Sequence, residues 1–491
     1  MATTHALHRH HHRAIELPHR PIRRDTAVVT SHDDHFDLII IGSGSGNGIP
    51  SFFDDRRIAL VERDVFGGTC LNRGCIPSKM FVLPADRVVE AAEAADIGVD
   101  IDVRAVDWVG IRDRIFGRID PIAAAGREYR AERCENVTLV EGTARFVADD
   151  ASGQHVVDVD GRQISASDVL IVAGSRPTVP PITGLAETGF HTSDSIMRLD
   201  APPPRLGIIG GGYIAAEMGH VFAGLGSTVT MFNRSERLLS AHDREISERF
   251  TSAVAERFHL RLGHLPNRID RRPDGIVVHC GNEEIIVDEL LVATGREPNS
   301  DLLDCDVLGV DMHHHGTIVV DEFQRTSIPG IWAAGDIANV HRLKHVANHE
   351  AQVAFWNIAH PDQMRPRTTA PVPAAVFSHP QVASVGLTEE AATAAGHDVV
   401  IGRRDMAGVA YGWAMEDSTG MAKVIVDRSS GLILGAHIIG PQAATLIHPL
   451  VQAMTFGQRA VDIAREVYFI HPALTEVVEN ALLDAVDQLD N

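Results

Sequence analysis

Short hydrophobic runs followed by glycine-rich turns recur along the chain, and they set its predicted elements. Phe36–Ile41 (FDLIII) and Arg57–Glu62 (RIALVE) are apolar enough to be buried parallel strands. Between them lie the glycines of GSGSGNG and a stretch predicted to be a short helix. This order is typical of a dinucleotide-binding unit, in which glycines let the backbone approach a pyrophosphate at a helix N-terminus. Glu62, 20 residues after Gly42, is placed to bind the ribose hydroxyls.

A second unit of the same kind begins near the middle of the chain, at Arg205–Gly219 (RLGIIGGGYIAAEMG). Gly210, Gly212 and Ala215 fit the pattern G-x-G-x-x-A. The second strand of this unit, STVTMF, ends at Phe232. One such motif is a weak signal, whereas two in one chain, each between strands, are a strong one. Two units predict two nucleotides, a flavin and a nicotinamide, between which a hydride passes.

Two similar strand-and-turn segments bracket the second unit. Asp168–Pro177 (DVLIVAGSRP) and Glu289–Asn299 (ELLVATGREPN) each end in a turn with glycine, arginine and proline. They indicate that the chain leaves the first domain and returns to it. Thr326–Asp336 (TSIPGIWAAGD) is predicted to add a further strand. From about residue 370 strands and helices alternate, which predicts a third domain of α+β type.

The charge and hydropathy of the chain restrict its partners. Asp and Glu number 66 against 44 Lys and Arg, a net charge of −22, which argues against nucleic acid or an anionic membrane as the main partner. No apolar run reaches the roughly 18 residues of a membrane span. The first 35 residues lack the apolar core of a signal peptide. We therefore expect a cytoplasmic protein with no nucleic-acid or membrane partner.

The first 35 residues are rich in His, Arg and Thr and include the run RHHHR at Arg9–Arg13. A histidine run can bind metal, but this one has no cysteine or carboxylate beside it at ligand spacing. A disordered extension is therefore expected, and no metal site is predicted.

Cys70 and Cys75 form a C-x4-C pair within Phe66–Met80 (FGGTCLNRGCIPSKM), and the other three cysteines stand singly. A zinc site needs about four ligands, and a structural disulfide that closes so short a loop adds little stability. A redox pair explains more than either alternative. A helix N-terminus favours a thiolate, and Lys79 adds positive charge. Pro77 is expected to distort the following helix and so bring the two sulfurs within reach.

The segment GGTCLNRGCIPSK resembles the active-site motif of the pyridine nucleotide–disulfide oxidoreductases. The resemblance extends from about Phe36 to Leu489 and includes both dinucleotide motifs, TSIPGIWAAGD, FSHPQVASVGLTE and HPALTEVVE. Within this family, GSGSGN, LKHVANHEA and FIHPALTEVVENALL are most similar to the mycothione reductases. The resemblance implies an α/β fold of two Rossmann-like domains, as in glutathione reductase, plus an α+β dimerisation domain.

The same resemblance implies a division of the chain after its N-terminal extension. The predicted boundaries are 1–35 for the extension, 36–180 for the first part of the FAD-binding domain, 181–296 for the NAD(P)H-binding domain, 297–368 for the second, central part of the FAD-binding domain, and 369–491 for the dimerisation domain.

The resemblance also implies roles for the cysteines and for a distant histidine. Cys75 matches the thiol next to the flavin, whereas Cys70 matches the interchange thiol that attacks the substrate disulfide. His471 matches the acid–base histidine of the family, and Glu476 matches the carboxylate that orients it. In the family this histidine reaches the cysteines of a partner subunit, so a homodimer with shared active sites is expected. Pro472 is predicted to occupy the first position of a helix, with His471 just before it.

Other matched residues are expected to hold the cofactors. Lys79 and Glu217 match an ion pair beside the flavin, and Asp336 matches a residue that binds its ribityl chain. His345 and Val346 lie where the family directs a helix N-terminus at the flavin pyrimidine edge. The predicted FAD contacts are Gly42, Gly44, Gly46, Asn47, Glu62, Gly68, Thr69, Lys79, Gly174, Asp336, His345 and Val346. The predicted nicotinamide-nucleotide contacts are Gly210, Gly212, Ala215, Asn233, Arg234, Arg237 and Gly295.

The end of the second strand in the second unit bears on the choice of nicotinamide. An acid there holds a ribose 2′-hydroxyl and repels a 2′-phosphate, but this chain has Asn233, with Arg234 and Arg237 close behind. An arginine pair can clamp a phosphate. NADPH is therefore predicted in preference to NADH. The alternative is a solvated arginine pair, with Asn233 bonding the ribose of NADH.

Asn47 departs from the first glycine motif, because the family usually has a third glycine at this position. Glycine there allows tight packing of the helix on the strand, and Pro50 follows early. The helix after this loop is therefore expected to be short or displaced.

Together these features predict a FAD-dependent, NADPH-driven reductase of a small-molecule disulfide, and mycothione is the expected substrate. One alternative is a dihydrolipoamide dehydrogenase that reduces NAD, and another is a glutathione-type disulfide reductase. A third alternative, from a different class, is a non-redox binding or metal-storage protein built on an inactive flavoprotein fold.

Overall fold

The computed structural model describes residues 34–147 and 153–490 of the chain. The histidine run at Arg9–Arg13 lies outside the described residues, as does all of the predicted N-terminal extension except Asp34 and His35. His35 already belongs to the first strand.

The strands are β1 His35–Ile41, β2 Ile58–Glu62, β3 Val137–Glu141, β4 Ala144–Phe146, β5 His155–Val159, β6 Arg162–Ile171, β7 Ser175–Pro177, β8 Arg205–Ile209, β9 Thr228–Asn233, β10 His259–Leu262, β11 Arg268–Arg272, β12 Gly275–Cys280, β13 Glu283–Val287, β14 Glu289–Val292, β15 Arg296–Pro298, β16 Ile331–Ala333, β17 Ala374–Val376, β18 Val382–Gly386, β19 Val399–Asp405, β20 Met421–Asp427 and β21 Ile433–Ile439.

The α-helices are α1 Gly68–Asn72, α2 Cys75–Glu93, α3 Trp108–Glu128, α4 Leu185–Thr188, α5 Tyr213–Gly224, α6 Arg244–Val254, α7 Lys344–Ala359, α8 Glu389–Ala394, α9 Ala410–Ala414, α10 Ala443–Leu446, α11 His448–Thr455, α12 Ala460–Glu466 and α13 Glu476–Asp490. Within the described ranges, none of the helices has the length and apolar character needed to cross a membrane.

The first glycine motif follows a central strand of a seven-stranded sheet. Its order is β3-β2-β1-β6-β5-β4, and β16 also pairs with β6. Strand β1 runs parallel to β2 and β6, and β16 runs parallel to β6. Leu38, Ile39 and Ile40 are fully buried, as expected of a parallel strand that is covered on both faces. The carboxyl ends of β1, β6 and β16 therefore meet at one edge of this sheet.

The second glycine motif follows β8, in a parallel sheet of order β10-β9-β8-β14. Helix α5 begins at Tyr213, directly after these glycines, and it packs against α2, whose first residue is Cys75. The two similar turn segments noted in the sequence meet in space, because β7 and β15 pair with each other. The chain therefore brings the second unit back onto the first next to the cysteine segment.

The chain from Ala374 onward forms an antiparallel sheet of order β17-β18-β21-β20-β19. Helix α13 packs across β19 and β20. Its apolar residues recur at helical spacing, so they form one buried face; these are Val477, Val478, Ala481, Leu482, Ala485 and Val486. This architecture agrees with the predicted fold class of two Rossmann-like units and an α+β domain.

Two predictions about helix starts depended on prolines. The helix after the first glycine loop is short, as predicted, because only a 3-10 turn at Ser51–Phe53 follows Pro50. The prediction that Pro472 occupies the first position of a helix is wrong, since α13 begins at Glu476. His471 therefore lies in the turn that precedes this helix, and Glu476 is the residue at the helix start.

Candidate active site

A deep cavity of about 330 Å³ is lined by the residues that follow β1, β6 and β16 and by helices α1, α2 and α5. Ligands of open α/β sheets bind at this edge, where the parallel strands end. The cavity brings together eleven of the predicted residues, which are Gly42, Gly44, Glu62, Gly68, Thr69, Cys70, Cys75, Lys79, Gly174, Glu217 and Asp336.

Close backbone contacts shape the glycine loop after β1. Gly42 has a φ of +110°, and a Cβ there would lie 2.5 Å from the carbonyl oxygen of Val172. Gly68 has a φ of +71°, and its Cβ would lie 2.8 Å from the Cα of Gly44. Only glycine fits such positions without displacing its neighbours. The two loops can therefore present their backbone to a ligand at short range.

Glu62, at the end of β2, ties this loop to the cysteine segment. Its Oε2 accepts hydrogen bonds from the Ser43 backbone N–H (2.9 Å) and from the Ser43 hydroxyl (2.6 Å). The same hydroxyl accepts a hydrogen bond from the backbone N–H of Gly67 (2.8 Å). The carboxylate thus joins two loops on the wall of the cavity.

Asn47 and Gly46, two predicted FAD contacts, do not line the cavity. The side-chain oxygen and the carbonyl of Asn47 accept hydrogen bonds from Nε and Nη2 of Arg130, each at 2.8 Å. A Cβ on Gly46 would lie 2.5 Å from the carbonyl oxygen of Gly42, so Gly46 packs inside the loop. The asparagine that replaces the usual glycine therefore anchors the loop to the turn at Tyr129–Arg133.

Cys70 and Cys75 are free thiols that meet across a break between two helices. Helix α1 ends at Asn72, and α2 begins at Cys75. Gly74 before it has φ −132° and ψ −117°, outside the helical region. The prediction that Pro77 distorts one helix to bring the sulfurs together is wrong, because the break before Cys75 already does so.

The two thiols differ in their electrostatic surroundings. A hydrogen bond from Cys70, together with the positive charge of Lys79, lowers the pKa of Cys75 to about 6. The same hydrogen bond, with burial, raises the pKa of Cys70. Cys75 also lies at the N-terminus of a 19-residue helix, which favours a thiolate. At neutral pH the reduced pair is therefore a Cys75 thiolate beside a Cys70 thiol.

The structure brings Lys79 and Glu217 together. The Nζ atom of Lys79 lies 2.7 Å from both carboxylate oxygens of Glu217, whose side chain is buried. Glu217 also accepts a hydrogen bond from the backbone N–H of Phe377 (3.1 Å), and Lys79 lies over the Phe377 ring. This pair therefore joins α2, α5 and the start of the C-terminal sheet domain at one point.

Asp336, after β16, is held by residues that sequence reasoning missed. The Ser175 hydroxyl donates to Asp336 Oδ2 (2.6 Å), and Arg296 donates to the Ser175 hydroxyl (2.8 Å) and carbonyl (2.6 Å). Glu350 accepts a hydrogen bond from the Gly335 N–H (2.8 Å) and so holds the same turn. Ser175 and Arg296 belong to the two similar turn segments, and that similarity was the signal that could have identified them.

The start of α7 places a different residue in the cavity from those predicted. Lys344, its first residue, lines the cavity, whereas His345 and Val346 do not. His345 is exposed, and its Nε2 lies 3.0 Å from the carbonyl oxygen of Pro373. Tyr213, the first residue of α5, is another lining residue that the sequence did not single out. Both are first residues of helices, so their direction depends on helix boundaries that a sequence pattern places only approximately.

The second glycine motif has tight backbone geometry of its own. Gly210 has a φ of +133°, and a Cβ there would lie 2.2 Å from the carbonyl oxygen of Ala293. Gly212 precedes α5, and Ala215 is buried within it. Gly295 has a φ of +122° and follows β14. None of these predicted contacts lines the cavity that holds the cysteines. The chain therefore has a second nucleotide-type loop, which lies outside that cavity.

Two arginine side chains, those of Arg234 and Arg237, follow the end of β9 beside this second loop. The amide of Asn233 donates to the carbonyls of Ser235 (3.1 Å) and Arg237 (2.9 Å) and so shapes the turn. Arg234 is exposed, and it forms no ion pair with any residue that the structure describes. Arg237 lies 3.4 Å from Glu248, and its buried Nε has no hydrogen-bond partner in the described chain.

His471 and Glu476 form a pair on the surface, away from the cavity. Nδ1 of His471 lies 2.8 Å from Glu476 Oε1. The His471 side chain is 72% exposed, and Glu476 is 16% exposed. Tyr468 and Ile470 nearby are also highly exposed. Within one chain, therefore, the structure does not bring this histidine to the cysteines.

Across residues 34–147 and 153–490 there is no group of three or more His, Cys, Asp or Glu side chains that could hold a metal ion. The histidine run at Arg9–Arg13 lies outside these ranges.

A thiol pair in a cavity, flanked by two dinucleotide-type loops, defines a nucleotide-dependent redox protein. The family model for pyridine nucleotide-disulphide oxidoreductases matches residues 36–352. The model for the dimerisation domain of the same family matches residues 372–482. The chain belongs to the pyridine nucleotide-disulphide oxidoreductase family.

Curated relatives and solved structures place the chain within this family. A mycothione reductase of Mycobacterium tuberculosis is 46% identical over 458 residues, which cover 91% of this chain and 99% of the relative. A dihydrolipoyl dehydrogenase of Haloferax volcanii is 32% identical, over 92% of this chain and 98% of the relative. An HOCl-induced flavoprotein disulfide reductase of Escherichia coli superposes with a TM-score of 0.78 at 27% identity, over 92% of this chain and 99% of that structure.

Family membership confirms the predicted enzyme class and the predicted kinds of cofactor. The chain is a disulfide oxidoreductase that uses FAD and a pyridine nucleotide. Its residues fit these groups, because both glycine loops have the tight turn of a dinucleotide-binding unit: a Cβ at Gly42 or Gly210 would clash with the carbonyl oxygen of Val172 or Ala293. The alternative of a non-redox binding protein finds no support.

Proposed function

We propose that this chain is a FAD-dependent, NADPH-driven reductase of a low-molecular-weight disulfide, and that the disulfide is mycothione. The observation that carries the proposal is the asymmetry of the thiol pair, with Cys75 stabilised as a thiolate and Cys70 kept protonated. The 46% identity to a mycothione reductase over nearly the whole chain supports the choice of substrate.

FAD, with NADPH as donor, supplies a two-electron route to the Cys70–Cys75 pair when both are bound. On the protein side, Glu62 and Asp336 offer carboxylate oxygens to hydroxyl groups of the ribose and the ribityl chain. Both carboxylates line the cavity, and each is held in place by a serine hydroxyl. Neither His345 nor Val346 lines the cavity, so neither side chain is assigned a role in holding the flavin.

Substrate reduction then proceeds by two exchanges of thiol and disulfide. His471 of a second copy takes the proton of Cys70, whose sulfur bonds to one substrate sulfur and breaks the substrate S–S bond. The first substrate thiolate leaves and takes the proton from His471. The Cys75 thiolate then attacks the Cys70 sulfur, which breaks the mixed disulfide, re-forms the Cys70–Cys75 disulfide and releases the second substrate half as a thiolate that takes its proton from the solvent. Glu476 holds Nδ1 of His471, which leaves Nε2 to handle the proton.

The proposed enzyme is a homodimer, because the site is incomplete in one chain. His471 is exposed and remote from its own cysteines. Its neighbours Tyr468 and Ile470 present apolar surface of the kind that marks a contact site. The matched dimerisation domain spans these residues. A second copy can therefore cover this surface and receive the histidine at its cavity.

The preference for NADPH rests on the arginines beside the second loop. Arg234 is exposed without an ion pair in the described chain, and Arg237 has a buried Nε without a partner there. A 2′-phosphate would satisfy both groups, whereas the 2′-hydroxyl of NADH carries no charge to attract them.

The proposal includes two further predictions that were made from the sequence. The first is the division of the folded chain at residues 36, 181, 297 and 369. The second is a cytoplasmic place of action, where a pool of small thiols must be kept reduced.

A steady-state substrate panel tests the function. Mycothione, glutathione disulfide and lipoamide are each assayed with NADPH and with NADH, and the highest kcat/KM is expected for mycothione with NADPH. A higher kcat/KM for lipoamide with NADH than for mycothione with NADPH would overturn the proposal. Cys70→Ser and Cys75→Ser should each abolish turnover. Cys134→Ser is the matched control, since Cys134 lies outside the cavity, and it should retain activity.

A further inference from the structure

The cavity contains a second lysine, Lys344, that none of the predicted roles uses. It is the first residue of α7 and lines the same cavity as Cys70 and Cys75. Its Nζ donates a hydrogen bond to the Ser45 hydroxyl of the first glycine loop, at 3.2 Å. That hydroxyl also donates to Asn348, one turn further along α7. The lysine head group is therefore held at the wall of the cavity by the loop and the helix together.

Lys344 differs from Lys79 in having no carboxylate partner. Lys79 is neutralised by Glu217, at 2.7 Å from both oxygens. Lys344 forms no ion pair with any described residue, and its only hydrogen bond among them is to the uncharged Ser45. Partial burial lowers the pKa of Lys344, while Cys70, Cys75 and Asp336 act in the opposite direction.

The influence between this lysine and the thiols is mutual. Lys344 lowers the pKa of Cys70, against the larger effects of the Cys75 hydrogen bond and burial. Asp336 is the carboxylate whose charge acts on Lys344, and it accepts a hydrogen bond from Ser175 rather than from the lysine. The positive charge of Lys344 is therefore available to an anion that forms within the cavity.

Reduction of the thiol pair creates such an anion. Net addition of a hydride to the Cys70–Cys75 disulfide breaks the S–S bond and gives one thiol and one thiolate, so the site gains one negative charge. The ion pair of Lys79 and Glu217 has no net charge with which to balance it. Lys344 supplies one positive charge at the wall of the same cavity.

We propose that Lys344 is the residue that compensates the charge of the two-electron-reduced active site, and that it thereby sets how readily the Cys70–Cys75 pair is reduced. This inference rests on the proposed redox role of the pair, but not on mycothione as the substrate. Lys344 acts through space on the thiols, so its effect is on the reduction equilibrium of the site.

The test is the midpoint potential of the FAD-loaded enzyme, measured against redox dyes and without any disulfide substrate. It compares the wild type with the variants Lys344→Gln and Lys344→Arg. Lys344→Gln should lower the ratio of reduced to oxidised enzyme about tenfold at a fixed solution potential, which is about 30 mV for a two-electron couple. Lys344→Arg keeps the charge and should stay within about threefold of the wild type. Arg87→Gln, which removes an exposed charge on α2, is the control and should change nothing.

An unchanged ratio in Lys344→Gln would overturn the inference, as would equal shifts in Lys344→Gln and Lys344→Arg, which would indicate a steric role. If Lys344→Gln loses FAD, the reduced fraction of its Cys70–Cys75 pair can be measured at equilibrium with dithiothreitol, with the free thiols trapped by alkylation, and compared with that of FAD-free wild type. Equal reduced fractions in the two proteins would also overturn the inference. Failure of the mycothione assay alone leaves these potentials and their interpretation unaffected.

Discussion

Lys79 and Glu217 form a two-pronged ion pair, with 2.7 Å from Nζ to each carboxylate oxygen, that joins helix α2 to helix α5. Cys75 lies one helical turn before Lys79, so the lysine that links the two helices also lowers the pKa of that thiol. Glu217 opposes this effect from the far side of the pair. The contact between the two nucleotide-type units therefore bears directly on the charge of the reactive cysteine.

Replacement of Lys79 with methionine should raise the pKa of Cys75 by about one unit, because an adjacent positive charge favours the thiolate. The wild-type thiolate should titrate near pH 6, so the variant requires a higher pH for the same fraction of thiolate. The ultraviolet absorbance of the thiolate in reduced protein, followed against pH, measures this. Arg87→Gln on the exposed face of the same helix should leave the midpoint in place. An identical midpoint in Lys79→Met would contradict the assignment.

Alkylation should distinguish the two cysteines by their surroundings. In FAD-free, reduced protein, iodoacetamide should label Cys75 first, because Cys75 has the lower pKa and faces the open cavity. That rate should fall as the pH drops below about 6, since the thiolate is then protonated. In the FAD-loaded, two-electron-reduced enzyme, Cys70 should be labelled first, because Cys75 is the thiol proposed to lie next to the flavin, which would shield it from the reagent. Peptide mapping reports the site, and labelling of Cys75 first in both forms would contradict the proposed arrangement.

Much of the cavity could be predicted from the sequence, because its geometry depends on residues with a unique backbone requirement. Gly42 and Gly68 stand where a Cβ would meet another backbone at less than 3 Å, and glycines with that spacing are visible in the chain. Glu62 was likewise identified by its distance from the first motif. The glycine spacing and the position of Glu62 are local features of the sequence, so they can be recognised without knowledge of the tertiary structure.

The rest of the site depends on contacts and rotations that no local pattern shows. Arg296 and Ser175 hold Asp336 from positions more than 100 residues apart in the chain. On α7 the predicted residue was His345, yet Lys344 lines the cavity. A shift of one residue on a helix turns the side chain by about 100°, so a small error in the helix start selects the wrong residue.

Mixed dimers test whether the histidine acts across the subunit interface. Cys70→Ser and His471→Ala homodimers should each be nearly inactive. In a hybrid of the two, one site keeps both an intact cysteine pair and an intact His471 from the other subunit. Random re-association should therefore restore about a quarter of the wild-type activity, since half the dimers are hybrids with one working site each. No recovery, with hybrids shown by mass spectrometry, would mean that each subunit uses its own histidine.

The arginines at the end of β9 provide a test of nucleotide choice. The double variant Arg234→Gln, Arg237→Gln should raise the KM for NADPH about 100-fold while kcat changes little, because a charge-assisted hydrogen bond to phosphate contributes about 1.5–3 kcal/mol. The KM for NADH should change by less than about threefold, since NADH has no 2′-phosphate for these groups to bind. Steady-state kinetics with both nucleotides measure the two effects.

The KM for NADH distinguishes the loss of a phosphate contact from damage to the loop. Asn233 shapes this turn by donating to the carbonyl of Arg237, so a collapse of the turn would weaken both nucleotides alike. Equal increases in KM for NADPH and NADH would therefore contradict the phosphate clamp. Arg272→Gln, at an exposed position on β11, is the matched loss of one positive charge elsewhere in the same domain and should alter neither value. Added salt should also weaken the binding of NADPH more than that of NADH in the wild type, because NADPH carries one more phosphate whose attraction to the arginines is screened.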